Sequence, residues 1–139
     1  ETGSNIAEFF AELDARLAGA DSLEELVVAI VSHATHQLRS NIHLRLMLAS
    51  EPGAVASNLG VESMPIIIST AADMFGPRLG RFLPADEVHE MAEWLSRLVV
   101  SHFLAPSTHV DLGDPDAVVR FVRRFVLPAF HFSELSTGA

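Results

Sequence analysis

The length, composition and charge of the chain limit what it can be. It has 139 residues, of which 49% are hydrophobic, 18 are acidic and 9 are basic, and it contains no cysteine. This size predicts one domain with a hydrophobic core, and the lack of cysteine excludes disulfides and thiolate metal sites. A net charge of −9 would repel a phosphate backbone, so we expect no binding to nucleic acid by this chain itself.

The residues at the two ends of the chain are predicted to lie outside the helical domain. Glu1-Thr2-Gly3-Ser4 precedes a helical pattern without an initiator methionine, so we interpret residues 1–4 as a cloning remnant and the chain as an excised fragment. Residues 5–130 are predicted to form one helical domain, and residues 131–139 to form a C-terminal tail. We expect a cytoplasmic protein with no membrane contact, because no apolar run approaches the roughly 18 residues of a membrane span.

The first half of the domain has the three- and four-residue apolar spacing of amphipathic helices. A first helix is predicted over residues 5–17, and a second begins at the capping box over residues 22–25. A shorter helix starts at Ser40 and breaks near Glu51-Pro52-Gly53. Residues 54–60 are rich in small side chains and are compatible with either a helical turn or a loop.

The second half continues this pattern. A helix is predicted from Ser63, and Gly76-Pro77 should kink or end it. The next helix covers residues 84–104, and the last begins at Asp114-Pro115-Asp116, an N-cap followed by proline, and stops at Pro128. The predicted fold is therefore all-α, an antiparallel bundle of about six helices. Both of the final helices are apolar over a wide arc, which favours pairing with a second copy.

These final helices resemble a known family. The run from Trp94 to Ser107, the acid-capped turn Asp114-Pro115-Asp116 and the arginine-rich run from Arg120 to Pro128 resemble the C-terminal domain of TetR-like transcriptional regulators. The resemblance extends from about Ile6 to Phe130. It implies a bacterial regulator, often a repressor, in which the last two helices form a dimeric four-helix bundle. An N-terminal helix-turn-helix domain, absent from this sequence, would bind DNA, and no cofactor or enzymatic activity is implied.

The same resemblance implies that the core of the other helices holds a small-molecule effector. The apolar stripes are aliphatic and rich in methionine, so we expect a lipophilic effector, with an elongated acyl-type molecule favoured. The predicted ligand-binding residues are Phe9, Phe10, Leu13, Val27, Ile30, Val31, Met64, Ile67, Ile68, Ala71, Met74, Phe75, Trp94 and Leu98. Any single one of them is more often an ordinary core residue, because apolar stripes of helices form the core by default. The candidate polar groups beside them are His33, Thr35, His36, Asn41, Ser69, Thr70, Asp73, Ser101 and His102.

The predicted homodimer interface takes the remaining apolar positions of the last two helices. A monomer would expose a larger apolar patch there than monomeric proteins usually carry. The expected interface residues are Leu95, Val99, Phe103, Val118, Val122, Phe125 and Val126.

Other chemistry has weaker support. His33 and His36 are spaced to share a metal ion, but no carboxylate lies at ligand spacing on that helix, so we predict no metal site. The run beginning at His89 lacks the second histidine of a zinc-protease motif. Ser101 and His102 are adjacent and would diverge on a helix, which is unsuitable for a nucleophile and its base. The alternative function left open is a self-contained helical carrier or small enzyme for lipophilic molecules.

Overall fold

The computed structural model describes residues 13–130, and every regular element within that range is helical. The predicted all-α helical bundle is therefore confirmed. None of the helices in this range is both long and apolar enough to cross a membrane. The helices are α1 (the helical residues 13–18), α2 (Leu23–Ser40), α3 (Ile42–Ser50), α4 (Pro52–Ser57), α5 (Met64–Leu79), α6 (Ala85–Leu104) and α7 (Pro115–Phe121).

Two π-helical segments extend this set of helices. Asn58–Glu62 follows α4, and Val122–Val126 follows α7 and leads into the helical residues 127–130. Residues 54–60 are thus helical, which is one of the two alternatives expected for them. The predicted remnant at residues 1–4, the tail at 131–139 and the first part of the helix predicted over 5–17 lie outside the described residues.

Side-chain caps determine where the early helices begin. The Ser22 hydroxyl accepts a hydrogen bond from the backbone N–H of Glu25 at 3.2 Å, and the Glu25 carboxylate accepts one from the N–H of Asp21 at 2.7 Å. The first bond satisfies a donor that the first turn of α2 would otherwise leave unpaired, and in the second Glu25 reaches back to the residue before the cap. Asn41 caps α3 in the same way, accepting from the N–H of Leu44 at 3.0 Å.

Two helices continue past prolines, at one of which we predicted a kink or an end and at the other an end. Helix α5 does not end at Pro77, and in the final turn the N–H of Gly80 donates to Gly76 at 2.9 Å. The last helix does not stop at Pro128, which lies within the helical residues 127–130. Proline disrupts a helix through its missing N–H and through a clash with the carbonyl four residues earlier. The π-helical winding of Val122–Val126 pairs N–H groups with carbonyls five residues earlier, which changes the backbone geometry just before Pro128.

The main core lies where α2 is covered by α6 and α7. Leu26, Val27 and Val31 of α2 are fully buried there, as the apolar stripe of that helix predicts. Helix α5 packs along α6 on the other side, and a smaller cluster closes the far end of the bundle. The buried members of that smaller cluster are Val55, Leu59, Met64 and Val100.

Ion pairs connect elements that are distant in sequence. Arg123 donates two hydrogen bonds to Glu24, at 2.7 and 2.9 Å, and so joins the segment after α7 to the start of α2. These hydrogen bonds hold the pKa of Glu24 below its ordinary value and raise that of Arg123. Arg78 of α5 pairs with Asp14 of α1. Arg123, in the arginine-rich run of the last helix, is therefore ion-paired.

Candidate functional site

An apolar cavity of about 420 Å³ lies between α2, α5 and α6. Buried side chains from all three helices form its inner wall. Gln37 of α2 and Ile66, Thr70 and Met74 of α5 are exposed and lie at its opening. The volume lies within the range of small-molecule sites, about 300–1,000 Å³. The lining residues are Ile30, His33, Ala34, Gln37, Leu38, Ile66, Ile67, Thr70, Ala71, Met74, Phe75, Leu79, Ala92, Leu95, Ser96, Val99 and Val100.

Small side chains are the reason that space remains at this point. Ala34, Ala71, Ala92 and Ser96 come from all three helices and line the same cavity. Helices packed through larger side chains would fill such a space, because protein interiors are close-packed. Ala92 and Ser96 are four residues apart and therefore share one face of α6. This spacing of small residues within an apolar stripe is a signal of the cavity that our sequence-based prediction missed.

The polar groups of the cavity are few and uncharged in character. His33, Gln37, Thr70 and Ser96 line it, and no arginine, aspartate or glutamate does so among the residues described. The Ser96 hydroxyl donates to the carbonyl of Ala92 at 2.7 Å, so its proton is already engaged. His33 is only 9% exposed, and burial lowers its pKa, with a further contribution from Arg16. The imidazole is therefore held in its neutral form near neutral pH.

The predicted ligand-binding residues divide into those that line the cavity and those that do not. Ile30, Ile67, Ala71, Met74 and Phe75 line it, as do the polar candidates His33 and Thr70. The others are placed elsewhere within the described range, and Phe9 and Phe10 lie outside that range. The residues predicted to line the cavity that do not are Leu13, Val27 and Val31 of the main core, Met64 and Ile68 of the smaller cluster, and Trp94 and Leu98 of α6.

Most of the residues assigned to the dimer interface are instead internal to one protomer. Leu95 and Val99 line the cavity, and Val118, Val122 and Val126 are fully buried in the main core. These five side chains are buried within their own chain and so leave little surface for a second copy. The other two predicted interface residues are more exposed. Phe103 is half-buried, and Phe125 is 56% exposed.

Trp94 and Leu98 of α6 and Phe121 and Phe125 of the last helix are apolar side chains that remain at least partly exposed, and we call them together the outer apolar face. Trp94 is 45% exposed, and Leu98 follows it one helical turn later. The Phe121 ring lies 5.6 Å from the His102 ring of α6 and 5.6 Å from the Phe125 ring, measured between centroids. These ring contacts connect the two helices at the surface. The outer apolar face is thus displaced by one residue along α6 from the predicted interface.

The histidines named as competing metal and catalytic candidates lie in the described part of the chain. No group of three His, Cys, Asp or Glu side chains is arranged there to hold a metal ion. His102 Nδ1 lies 2.8 Å from the carbonyl oxygen of Leu98, to which it can donate a hydrogen bond. Comparison of the chain with models of known protein families, with curated proteins and with solved structures found no match.

Proposed function

We propose that this domain senses an uncharged lipophilic small molecule and forms a homodimer, as the C-terminal domain of a TetR-like bacterial regulator does. DNA binding would then belong to a helix-turn-helix domain outside this sequence, in a cytoplasmic protein. The observation that carries the proposal is the cavity between α2, α5 and α6, with its aliphatic lining and neutral polar groups.

The lining narrows the class of effector. Leu38, Ile67, Leu95 and Val99 offer aliphatic contact, and burying each methylene of a ligand against such a surface contributes about 0.8 kcal/mol. A carboxylate would meet no arginine among the described lining residues, and desolvating an unpaired charge is unfavourable. We therefore propose an elongated acyl-type molecule whose polar end is an ester, an amide or an alcohol.

The outer apolar face supports the dimerisation part of the proposal. Trp94 and Phe125 are large aromatic side chains that are half exposed, and such residues are enriched in the energetic centres of protein interfaces. They lie on the two helices that pair in TetR-like regulators. We propose that Trp94, Leu98, Phe121 and Phe125 form the centre of the two-fold contact.

Helix α6 offers a physical route between the ligand and the dimer. Leu95 and Val99 contact the cavity, whereas the neighbouring Trp94 and Leu98 belong to the outer apolar face. A ligand that rotates or shifts α6 must therefore move both sets of side chains together. Ligand binding would then change the geometry of the dimer, which in a full-length regulator changes the spacing of two DNA-binding domains.

A thermal-shift experiment with methyl decanoate tests the proposed ligand class. A ligand that binds only the folded state stabilises it by about 2.7 kcal/mol at a hundredfold excess over its Kd. We expect methyl decanoate to raise the melting temperature of the wild-type chain and of Ser69→Phe, because Ser69 lies on α5 but does not line the cavity. Ala71→Phe should fill the cavity and abolish the shift. Equal shifts in Ala71→Phe and Ser69→Phe would refute this location.

The alternative of a self-contained carrier or small enzyme would use the same cavity without a need for dimer coupling. Sedimentation of the dimer with and without methyl decanoate separates the two functions. A regulator should show a ligand-dependent dimer dissociation constant, because linkage requires ligand and partner to affect each other equally. A dissociation constant that is unchanged at saturating ligand would favour the carrier.

A further inference from the structure

A second depression, of about 560 Å³, lies farther along α6, where the end of α2, α3 and the end of α6 meet. It differs from the first cavity in carrying positive charge. We call it the basic groove, and its lining residues are Arg39, Arg45, Leu48, Ala49, His102, Phe103 and Pro106. No carboxylate is among these lining residues in the described range.

The basic groove is positively charged, whereas the chain as a whole is negatively charged. The chain carries a net charge of −9, yet two of its nine basic residues converge here. Arg45 makes no ion pair with any described residue. Arg39 is paired with Asp111 at 2.9 Å through Nη1, which leaves other N–H groups of the guanidinium available as donors. With one arginine balanced by Asp111, the groove retains the charge of the other.

Arg39 is held in place by the loop before α7. A Cβ atom added to Gly113 would clash with Arg39 Nη1, so the guanidinium lies directly against the backbone at a position where a larger residue would displace it. The Asp111 carboxylate accepts a hydrogen bond from the N–H of Gly113 at 2.9 Å, which fixes the acid that orients Arg39. A guanidinium ordered in advance loses less conformational entropy when it binds a ligand.

A buried hydroxyl beside the basic groove lacks a partner. Thr35 is only 6% exposed, and its Oγ1 makes no hydrogen bond. It lines a recess of about 10 Å³ that shares Arg39, His102 and Phe103 with the basic groove. A buried donor without an acceptor is unfavourable, and an acceptor atom placed in this recess would remove that cost. The recess therefore adds a hydrogen-bond donor to the two guanidinium groups.

We propose that the basic groove is a second binding site, specific for a small organic carboxylate with an apolar body. The carboxylate would be held by Arg39 and Arg45, since guanidinium and carboxylate groups form strong charge-assisted hydrogen bonds. Leu48, Phe103 and Pro106 would contact the apolar body. The site is separate from the cavity for an uncharged lipophile, so both can be occupied at once, and neither proposal depends on the other.

Calorimetric titration of the full chain with 1-naphthoate, and with its neutral counterpart 1-naphthamide, tests this site. We expect 1-naphthoate to bind at least tenfold more tightly than 1-naphthamide, and Arg45→Gln to weaken 1-naphthoate about tenfold, as expected for loss of a charged hydrogen bond. Arg97→Gln is the matched control, because Arg97 is an exposed arginine of α6 that pairs with Glu93 and does not line the groove.

A second variant separates binding from folding. Thr35→Val removes the hydroxyl at nearly constant volume, so the melting temperature should stay the same or rise, while 1-naphthoate binding weakens. Methyl decanoate should shift the melting temperature of Arg45→Gln as it does that of the wild type. Equal affinities for 1-naphthoate and 1-naphthamide, or an unchanged affinity in Arg45→Gln, would overturn the proposal.

Discussion

The two sides of α6 differ sharply although they are one residue apart in sequence. Leu95 is 4% exposed and lines the cavity, whereas Trp94 is 45% exposed and belongs to the outer apolar face. Both are large apolar residues, but as consecutive residues they lie about 100° apart around the helix. The difference arises because α6 carries more than one apolar stripe, and the two stripes face different surroundings. In this protein the inner stripe is covered by α2 and α5, and the outer stripe remains available.

The largest expected effect is the difference in stability between truncating Leu95 and truncating Trp94 to alanine. Leu95→Ala should lower the free energy of unfolding by about 2–4 kcal/mol, because it removes a buried side chain from a site that cannot fully collapse. Trp94→Ala should lower the stability of the isolated protomer by less than about 1 kcal/mol, since exposed positions are more tolerant. Urea denaturation at protein concentrations below the dimer dissociation constant makes this comparison. Equal losses of unfolding free energy in Leu95→Ala and Trp94→Ala would contradict the assignment of Leu95 to the inner side of α6 and Trp94 to the outer side.

The next prediction concerns the dimer. Phe125→Ala should raise the dimer dissociation constant by at least about tenfold, as expected for an aromatic residue at an interface centre, and leave the protomer folded. Sedimentation equilibrium measures the dissociation constant, and circular dichroism reports the fold. Ile42→Ala is a suitable control, because Ile42 is also exposed but lies on α3, away from the outer apolar face. An unchanged dissociation constant in Phe125→Ala would place the dimer contact elsewhere.

The smallest expected effect is the pH dependence caused by His33. Burial lowers the pKa of this histidine in the folded state, below the ordinary value of 6.5 that it regains on unfolding. The unfolded state therefore binds more protons, so stability falls as the pH drops below 6.5. His33→Gln should reduce this slope, as measured by urea denaturation at pH 7.5 and pH 5.5. His89→Gln serves as the control, because His89 is an exposed histidine on α6 that does not contribute to the lowered pKa of His33. A slope that is identical in wild type and His33→Gln would show that His33 is not the group responsible.

Periodicity and capping signals were sufficient to predict the helices. Ser22 and Asp114 mark the starts of α2 and α7, and their side chains accept the expected backbone hydrogen bonds. The stripe through Leu26 and Ile30 on α2 is buried as predicted. These features are local, because a cap or a stripe depends on residues three or four positions apart. Prolines 77 and 128 were harder, since whether a proline ends a helix depends on how the surrounding backbone accommodates it.

The sequence predicted only part of the candidate site, because which residues line the cavity depends on how the helices pack together. From the stripe of α5 we predicted Ile67, Ala71 and Met74 as ligand-binding residues, and they line the cavity. On α6 we predicted Trp94 and Leu98 as ligand-binding residues and Leu95 and Val99 as interface residues, but it is Leu95 and Val99 that line the cavity. A helix with a wide apolar arc does not reveal from its own sequence which edge meets which neighbour. That choice depends on contacts between distant segments. The basic groove was missed for the same reason, since Arg39 and Arg45 lie on different helices.

The central claim is that an uncharged lipophile occupies the space between α2, α5 and α6. Nuclear Overhauser effects between methyl decanoate and the methyl groups of the protein test it directly. We predict contacts from the alkyl chain to Ile67, Met74 and Val99, which line the cavity, and none to Leu46, which is exposed on α3. Contacts confined to Trp94 and Phe125, with none to the cavity methyl groups, would contradict the account by placing the lipophile on the outer apolar face.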